Sequence, residues 1–121
     1  FAAGDYTGNG SMTWTVAAGD VNAFAYTLVG KTMAVSFDLA TTTVGGTPNS
    51  ALQIAIPGGF TAAKTLYTTY ILSDNGAANA IGSCRVTAAG AVIQLFLLAA
   101  GNWTAATDTT AARGQIIFEV T

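Results

Sequence analysis

Histidine is absent from this chain of 121 residues and cysteine occurs once, which removes whole classes of chemistry at the start. Without an imidazole there is no Ser-His-Asp or Cys-His relay and no histidine-based zinc site. The lone Cys84 cannot close an internal disulfide, so the fold must hold by packing and assembly, and a small buried apolar side chain is its ordinary reading. Charge is scarce as well. Four Lys and Arg and six Asp and Glu make up 8% of the residues, where about a quarter is usual. Four cations and a net charge of -2 cannot supply the basic stripe that a nucleic-acid partner demands. No apolar run approaches the roughly eighteen residues of a membrane-spanning helix; the longest, residues 91–100, is interrupted by Gln94 and has the length of a strand. A signal-peptide pattern is missing too, and an opening at Phe1 rather than Met suggests a processed chain or a domain of a longer polypeptide.

The usual catalytic motifs are missing with them. Neither GxxxxGK[ST] nor GxGxxG occurs, and Gly45-Gly46 and Gly58-Gly59 fall between strands, where they read as turns. The six carboxylates stand singly, with only Asp38 and Glu119 inside expected strands, so no pair is spaced for acid-base work on a glycosidic bond. The expectation is a protein that is not an enzyme and takes no cofactor or metal.

What the chain does have is alternation. In residues 32–39, Met33, Val35, Phe37 and Leu39 alternate with Thr32, Ala34, Ser36 and Asp38; in residues 51–56, Leu52, Ile54 and Ile56 alternate with Ala51, Gln53 and Ala55. That period of two puts one face of a strand on a core, and Pro57-Gly58-Gly59 stops the second strand by removing a donor and freeing the backbone. Further strands are expected over residues 12–16, 23–29, 65–72, 80–87, 91–98 and 114–120, with Gly30-Lys31 as a tight hairpin link and Ser73-Asp74-Asn75-Gly76 as a turn. Helical periodicity and heptads are absent. Residues 65–72 and 91–98 lack a polar face, so each is expected to be buried on both sides or bulged. The pattern predicts an all-β fold, an eight-stranded antiparallel β-sandwich of jelly-roll type. Residues 1–11 read as a linker or N-terminal arm and residues 12–121 as a single jelly-roll domain. A surface made of Ala, Thr, Ser and Gly exposes much weakly apolar area, which suggests that other subunits cover part of it.

Loops that reverse the chain between eight strands alternate between two ends. Counted from Met12, both termini, Gly30-Lys31, residues 57–64 and residues 88–90 fall at a near end; the Asp20 turn and residues 40–50, 74–79 and 99–113 fall at a far end. The far-end loops carry the candidate ligand-binding residues Asp74, Asn75, Asn102, Trp103 and Asp108. Asp20, Asp74 and Asp108 could form a Ca²⁺ or ligand site, or simply be turn residues. Trp103 could stack on a sugar ring or fold back to lid the sandwich.

The stretches Met12-Thr13-Trp14-Thr15-Val16, Tyr26-Thr27-Leu28 running through Gly30-Lys31 into Met33-Ala34-Val35-Ser36-Phe37, Gly46-Thr47-Pro48, Leu52-Gln53-Ile54-Ala55-Ile56-Pro57 and Gly114-Gln115-Ile116-Ile117-Phe118-Glu119-Val120 together resemble the C-terminal jelly-roll domains of bacteriophage tail fibres and tail spikes, similar in architecture to C1q and tumour-necrosis-factor trimers. The resemblance implies a homotrimer on a virion surface or in an extracellular setting that binds a host cell-surface carbohydrate without catalysis. It transfers no binding residue, because it covers scaffold positions only. Two other readings stand beside it: a structural subunit that decorates a capsid or builds an extracellular filament, and a carbohydrate-binding module of a secreted protein. Residues 65–72 and 91–98 are expected to contribute to the contact between copies.

Overall fold

The longest strand carries the architecture. The structure is a computed structural model and describes residues 1–99 and 101–121; Ala100, which ends the apolar run 91–100 and falls in the expected loop 99–113, lies outside the described residues. Among these residues nine strands form one antiparallel sheet: β1 Tyr6–Gly8, β2 Met12–Thr15, β3 Val21–Val29, β4 Thr32–Gly46, β5 Ala51–Ala55, β6 Leu66–Ser73, β7 Ala80–Val86, β8 Val92–Leu97 and β9 Ala106–Glu119. Short 3-10 turns at Ala3–Asp5, Ala18–Asp20 and Pro57–Gly59 are the only helical elements described.

The strand order β1-β5-β8-β7-β6-β9-β4-β2, with β3 also on β4, curls the sheet until it is nearly closed into a barrel. The fold is thus the all-β antiparallel β-sandwich of jelly-roll type that the alternation predicts. β9 returns to lie beside β6, ahead of the β6-β7-β8 meander, which is a Greek key; β5 lies beside β8 on its other side. The β1–β2 turn joins the two ends of the path: Met12 donates its N–H to the Asn9 carbonyl at 3.2 Å, and Asn9 donates to Ala51 at 3.0 Å.

Residues 1–11 are therefore not merely a linker or arm, because Tyr6, Thr7 and Gly8 pair with Ile54, Gln53 and Leu52. β5 offers an unpaired edge, and three extended residues suffice to use it while burying Tyr6. The Asp20 turn does not reverse the chain. β2 pairs with the second half of β4, Met12 opposite Gly46, and β3 with its first half, Val29 opposite Thr32, so β2 and β3 run in line along one edge of β4. The added β1 and the removed reversal cancel. Both termini, Gly30-Lys31, residues 57–64 and residues 88–90 do share the near end, while residues 47–50, 74–79, 98–99 and 101–105 lie at the far end with the β1–β2 turn.

The expected loops 40–50 and 99–113 are mostly strand. β4 and β9 stay paired past Leu39 and Ala112 through two register shifts, with Thr41 at φ 57° and Asp108 at φ 56° at the irregularities. Bulges of this kind absorb extra residues and sharpen the local twist, so a polar, Thr-rich stretch can remain in the sheet. Inside the barrel, Met33, Val35, Leu39, Leu52, Ile54, Ile93, Leu95 and Ile116 are almost wholly removed from water. Each contributes about 1.5–3 kcal/mol by its burial.

Candidate functional site

The far end is built from loops whose polar side chains satisfy one another. Asp74 accepts hydrogen bonds from the Thr104 backbone N–H and hydroxyl, both at 3.0 Å. Asn75 Oδ1 accepts from the Thr109 hydroxyl at 3.2 Å. Asp108 Oδ1 lies 3.2 Å from the Thr43 hydroxyl, whose oxygen accepts the Asp108 N–H at 3.0 Å. Asp20, midway along the edge of β4 rather than at the far end, accepts from the Thr41 hydroxyl at 2.7 Å and from the Ala17 N–H at 2.9 Å. These are braces across loops and bulges, which is where Asp and Asn hold a backbone that leaves its ladder. Asp74 and Asn75 are brought together with residues 104 and 109, whereas Asp108 is tied to β4; among the described residues no group of three potential ligands gathers for a metal ion.

Trp103 is the correction at this end. It retains 1% of its accessible surface, donates its indole Nε1–H to the Leu95 carbonyl at 3.2 Å, and donates its backbone N–H to Asn49 at 3.0 Å. The ring closes the far mouth of the barrel and offers no face to a sugar. Its loop is otherwise Ala, Gly, Thr and Asn apart from Leu98, which is 69% exposed on the outer face, so Trp103 is the residue that fills the opening. Asn102 beside it is exposed.

Two other surfaces stand out, on opposite sides of the barrel. The first is the outer face of β6, β7 and β8. β6 alternates after all: Tyr70 and Leu72 point in, while Tyr67 and Ile71 point out and keep 63% and 47% of their surface exposed. It is neither bulged nor buried on both faces. Ile81 on β7 and Leu98 just after β8 are 57% and 69% exposed, and with Ile71 they line a shallow depression of about 460 Å³. On the same face Arg85 donates from Nε and Nη2 to Gln94 Oε1 at 2.9 and 2.7 Å, and its guanidinium lies 4.8 Å from the Phe96 ring centre and 5.9 Å from that of Tyr67. A cation held near two aromatic rings by a neutral amide is pre-organised at little entropic cost.

The second surface is the seam where the barrel fails to close. β1 does not pair with β3, so of the inward-pointing residues of β3 Phe24 reaches Tyr6 of β1 while Tyr26 and Leu28 remain exposed at an opening. Tyr26 remains 48% exposed although its cross-strand partner Val35 is fully buried. The result is a cleft of about 550 Å³ between β3, the Ala3–Asp5 turn and the Pro57–Gly59 turn, lined by Phe1, Asp5, Tyr6, Phe24, Tyr26 and Gly58 among others. Phe1 stacks on Tyr6 with ring centres 6.1 Å apart, and Phe24 meets Tyr6 edge to face at 6.4 Å. The Tyr6 phenol is pushed up from its ordinary range, by burial first and by the nearby Asp5 carboxylate second. Sequence reasoning missed this cleft. Its signal was present in the aromatic alternation of Phe24, Tyr26 and Leu28, but only the pairing of β3 with β4 alone leaves that face open.

Against known proteins, no family model matches the sequence, and neither a curated protein nor a solved structure matches it significantly.

Proposed function

We propose that this chain is a non-catalytic recognition module that works as an assembly of its own copies, most simply a homotrimer, and binds a host cell-surface glycan, as at the tip of a phage tail fibre. The observation that carries the reading is the outer face of β6–β8, where Tyr67 beside Arg85, and Ile71, Ile81 and Leu98 further along the strands, keep about half or more of their surface exposed. Aromatic, aliphatic and arginine side chains on a charge-poor sheet face have the make-up of the centre of a protein interface rather than of a free surface. Assembly through that face leaves the seam cleft and the far-end loops free to meet a ligand. Sedimentation of the wild type at micromolar concentration is expected at a multiple of the chain mass of 12.2 kDa, with Ile81→Glu, which puts a carboxylate in the middle of the patch, running as a monomer. A monomeric wild type overturns the assembly.

A second reading, a filament or capsid-decorating subunit, draws on β3. This nine-residue edge strand has no charged side chain and no partner beyond β4, so it could add head to tail. The same sedimentation distinguishes the two, since open addition produces a mass that keeps rising with concentration.

A further inference from the structure

We infer that the seam cleft between β3, the Ala3–Asp5 turn and the Pro57–Gly59 turn is the ligand site, and that its ligand is a neutral pyranose, one or two rings of an uncharged surface glycan. The inference rests on the glycan-binding reading above and gives it a location and a ligand class.

The volume of about 550 Å³ is that of a small-molecule site rather than of a packing defect. Its walls combine two chemistries. Tyr26, Phe24 and Phe1 offer ring faces and edges to which the C–H face of a sugar can stack. Asp5 supplies the polar contact: its carboxylate has no hydrogen-bond or ion-pair partner among the described residues, in contrast to the braced Asp20, Asp38, Asp74 and Asp108. An ionised carboxylate only accepts, and sugar hydroxyls donate, so the pair is complementary. The Tyr26 hydroxyl adds a donor and acceptor at the opposite wall, within 3.9 Å of where a Gly58 Cβ would stand.

Charge then selects within the class. Neither lysine nor arginine lines the cleft. A uronate or sialate carboxylate would stand against Asp5 with no basic side chain to balance it, which disfavours acidic sugars, and sulfated or phosphorylated ones by the same count.

The test uses the full chain, labelled with ¹⁵N and titrated with methyl glycosides of glucose, galactose, mannose and N-acetylglucosamine, and with methyl glucuronide. At least one neutral glycoside is expected to shift the amide signals of Asp5, Tyr26 and Gly58 and to leave those of Asp74 and Asn102 in place; the glucuronide is expected to bind at least tenfold more weakly. Tyr26→Ala and Asp5→Asn should each weaken binding about tenfold with the melting temperature unchanged, and Asn102→Ala at the far end should bind as the wild type does. A wild type that binds no member of the panel and no spot of a glycan array overturns both the site and the glycan-binding reading. Array binding that survives in the Tyr26→Ala/Asp5→Asn double variant overturns the site alone, and equal affinity for the glucuronide overturns the ligand class.

Discussion

Cys84 shows what burial does to a single residue. It points into the barrel from the middle of β7, retains none of its surface, and its thiol is pushed up to about 12 by desolvation, because the thiolate would lose its water without gaining a partner. The nucleophile is the thiolate, so the native protein is expected to resist thiol reagents at pH 8 and to label fully on unfolding. The same shift makes stability depend on pH. Above the ordinary thiol value of 9.0 the unfolded chain binds fewer protons than the folded one, so stability is complete below pH 9 and falls as the pH rises from there towards 12. Tyr70, whose phenol is also pushed up, by burial first and then by Cys84 and Asp74, adds a loss of the same sign. Denaturant titrations at pH 8 and pH 10.5 check this, and a stability that rises over that interval contradicts it. Trp103 teaches the converse lesson. Residue type suggested a stacking surface, yet a ring that is 1% exposed and bonded to the Leu95 carbonyl is a structural plug.

At the scale of elements, the β6–β7–β9 wall is shaped by two glycines. A Cβ on Gly82 would run into the Phe96 carbonyl oxygen and stand 2.6 Å from Tyr70 Cε1, and one on Gly114 would stand 2.7 Å from Tyr70 Cβ. Both glycines make room for Tyr70, which crosses from β6 to donate its hydroxyl to the Phe96 carbonyl at 3.0 Å. An aromatic laid over a strand glycine covers the backbone that the missing side chain leaves bare. Gly82→Ala is expected to cost about 1–3 kcal/mol by overpacking, measured by urea unfolding, and Tyr70→Leu in the same background should recover part of that loss. The sequence places both glycines inside strands but does not say which ring needs them. β4 and β9 show the limit more plainly. Residues 32–39 of β4 and 114–119 of β9 alternate legibly, while Thr41, Thr42, Thr109 and Thr110 look like loop until the two strands are seen to pair through bulges, with the Thr42 hydroxyl taking the Trp14 Nε1–H at 2.8 Å and donating to the Thr110 carbonyl at 2.7 Å.

For the whole molecule, the governing fact is how little charge it has to spread over its surface. Only two ion pairs form among the described residues, Arg113 with Asp38 at 3.0 Å and Lys64 with Glu119 at 3.9 Å, and both are exposed enough to contribute little. Cohesion comes from the core, while the outer face of β6–β8 leaves Tyr67, Ile71, Ile81 and Leu98 exposed. If copies bind one another there, the folded state is stabilised by mass action, and the melting temperature should rise with protein concentration in the wild type and stay constant in Ile81→Glu. Calorimetry over a hundredfold concentration range checks this.

The sequence by itself determined the class of fold, the near-end position of the termini and the inward-facing core, because a period of two and glycine- or proline-bearing turns are local properties that survive in any packing. It also left the candidate loops at the far end in their proper place, although by way of two compensating errors about residues 1–11 and Asp20. Only the tertiary structure decided that Tyr6–Gly8 belongs to the sheet, that Trp103 is a plug, that Asp74, Asn75 and Asp108 brace loops, and that an aromatic cleft opens beside β3. Each of these depends on which strand edges find partners and which do not, and edge pairing is settled by residues far apart in the chain, beyond what any local pattern encodes.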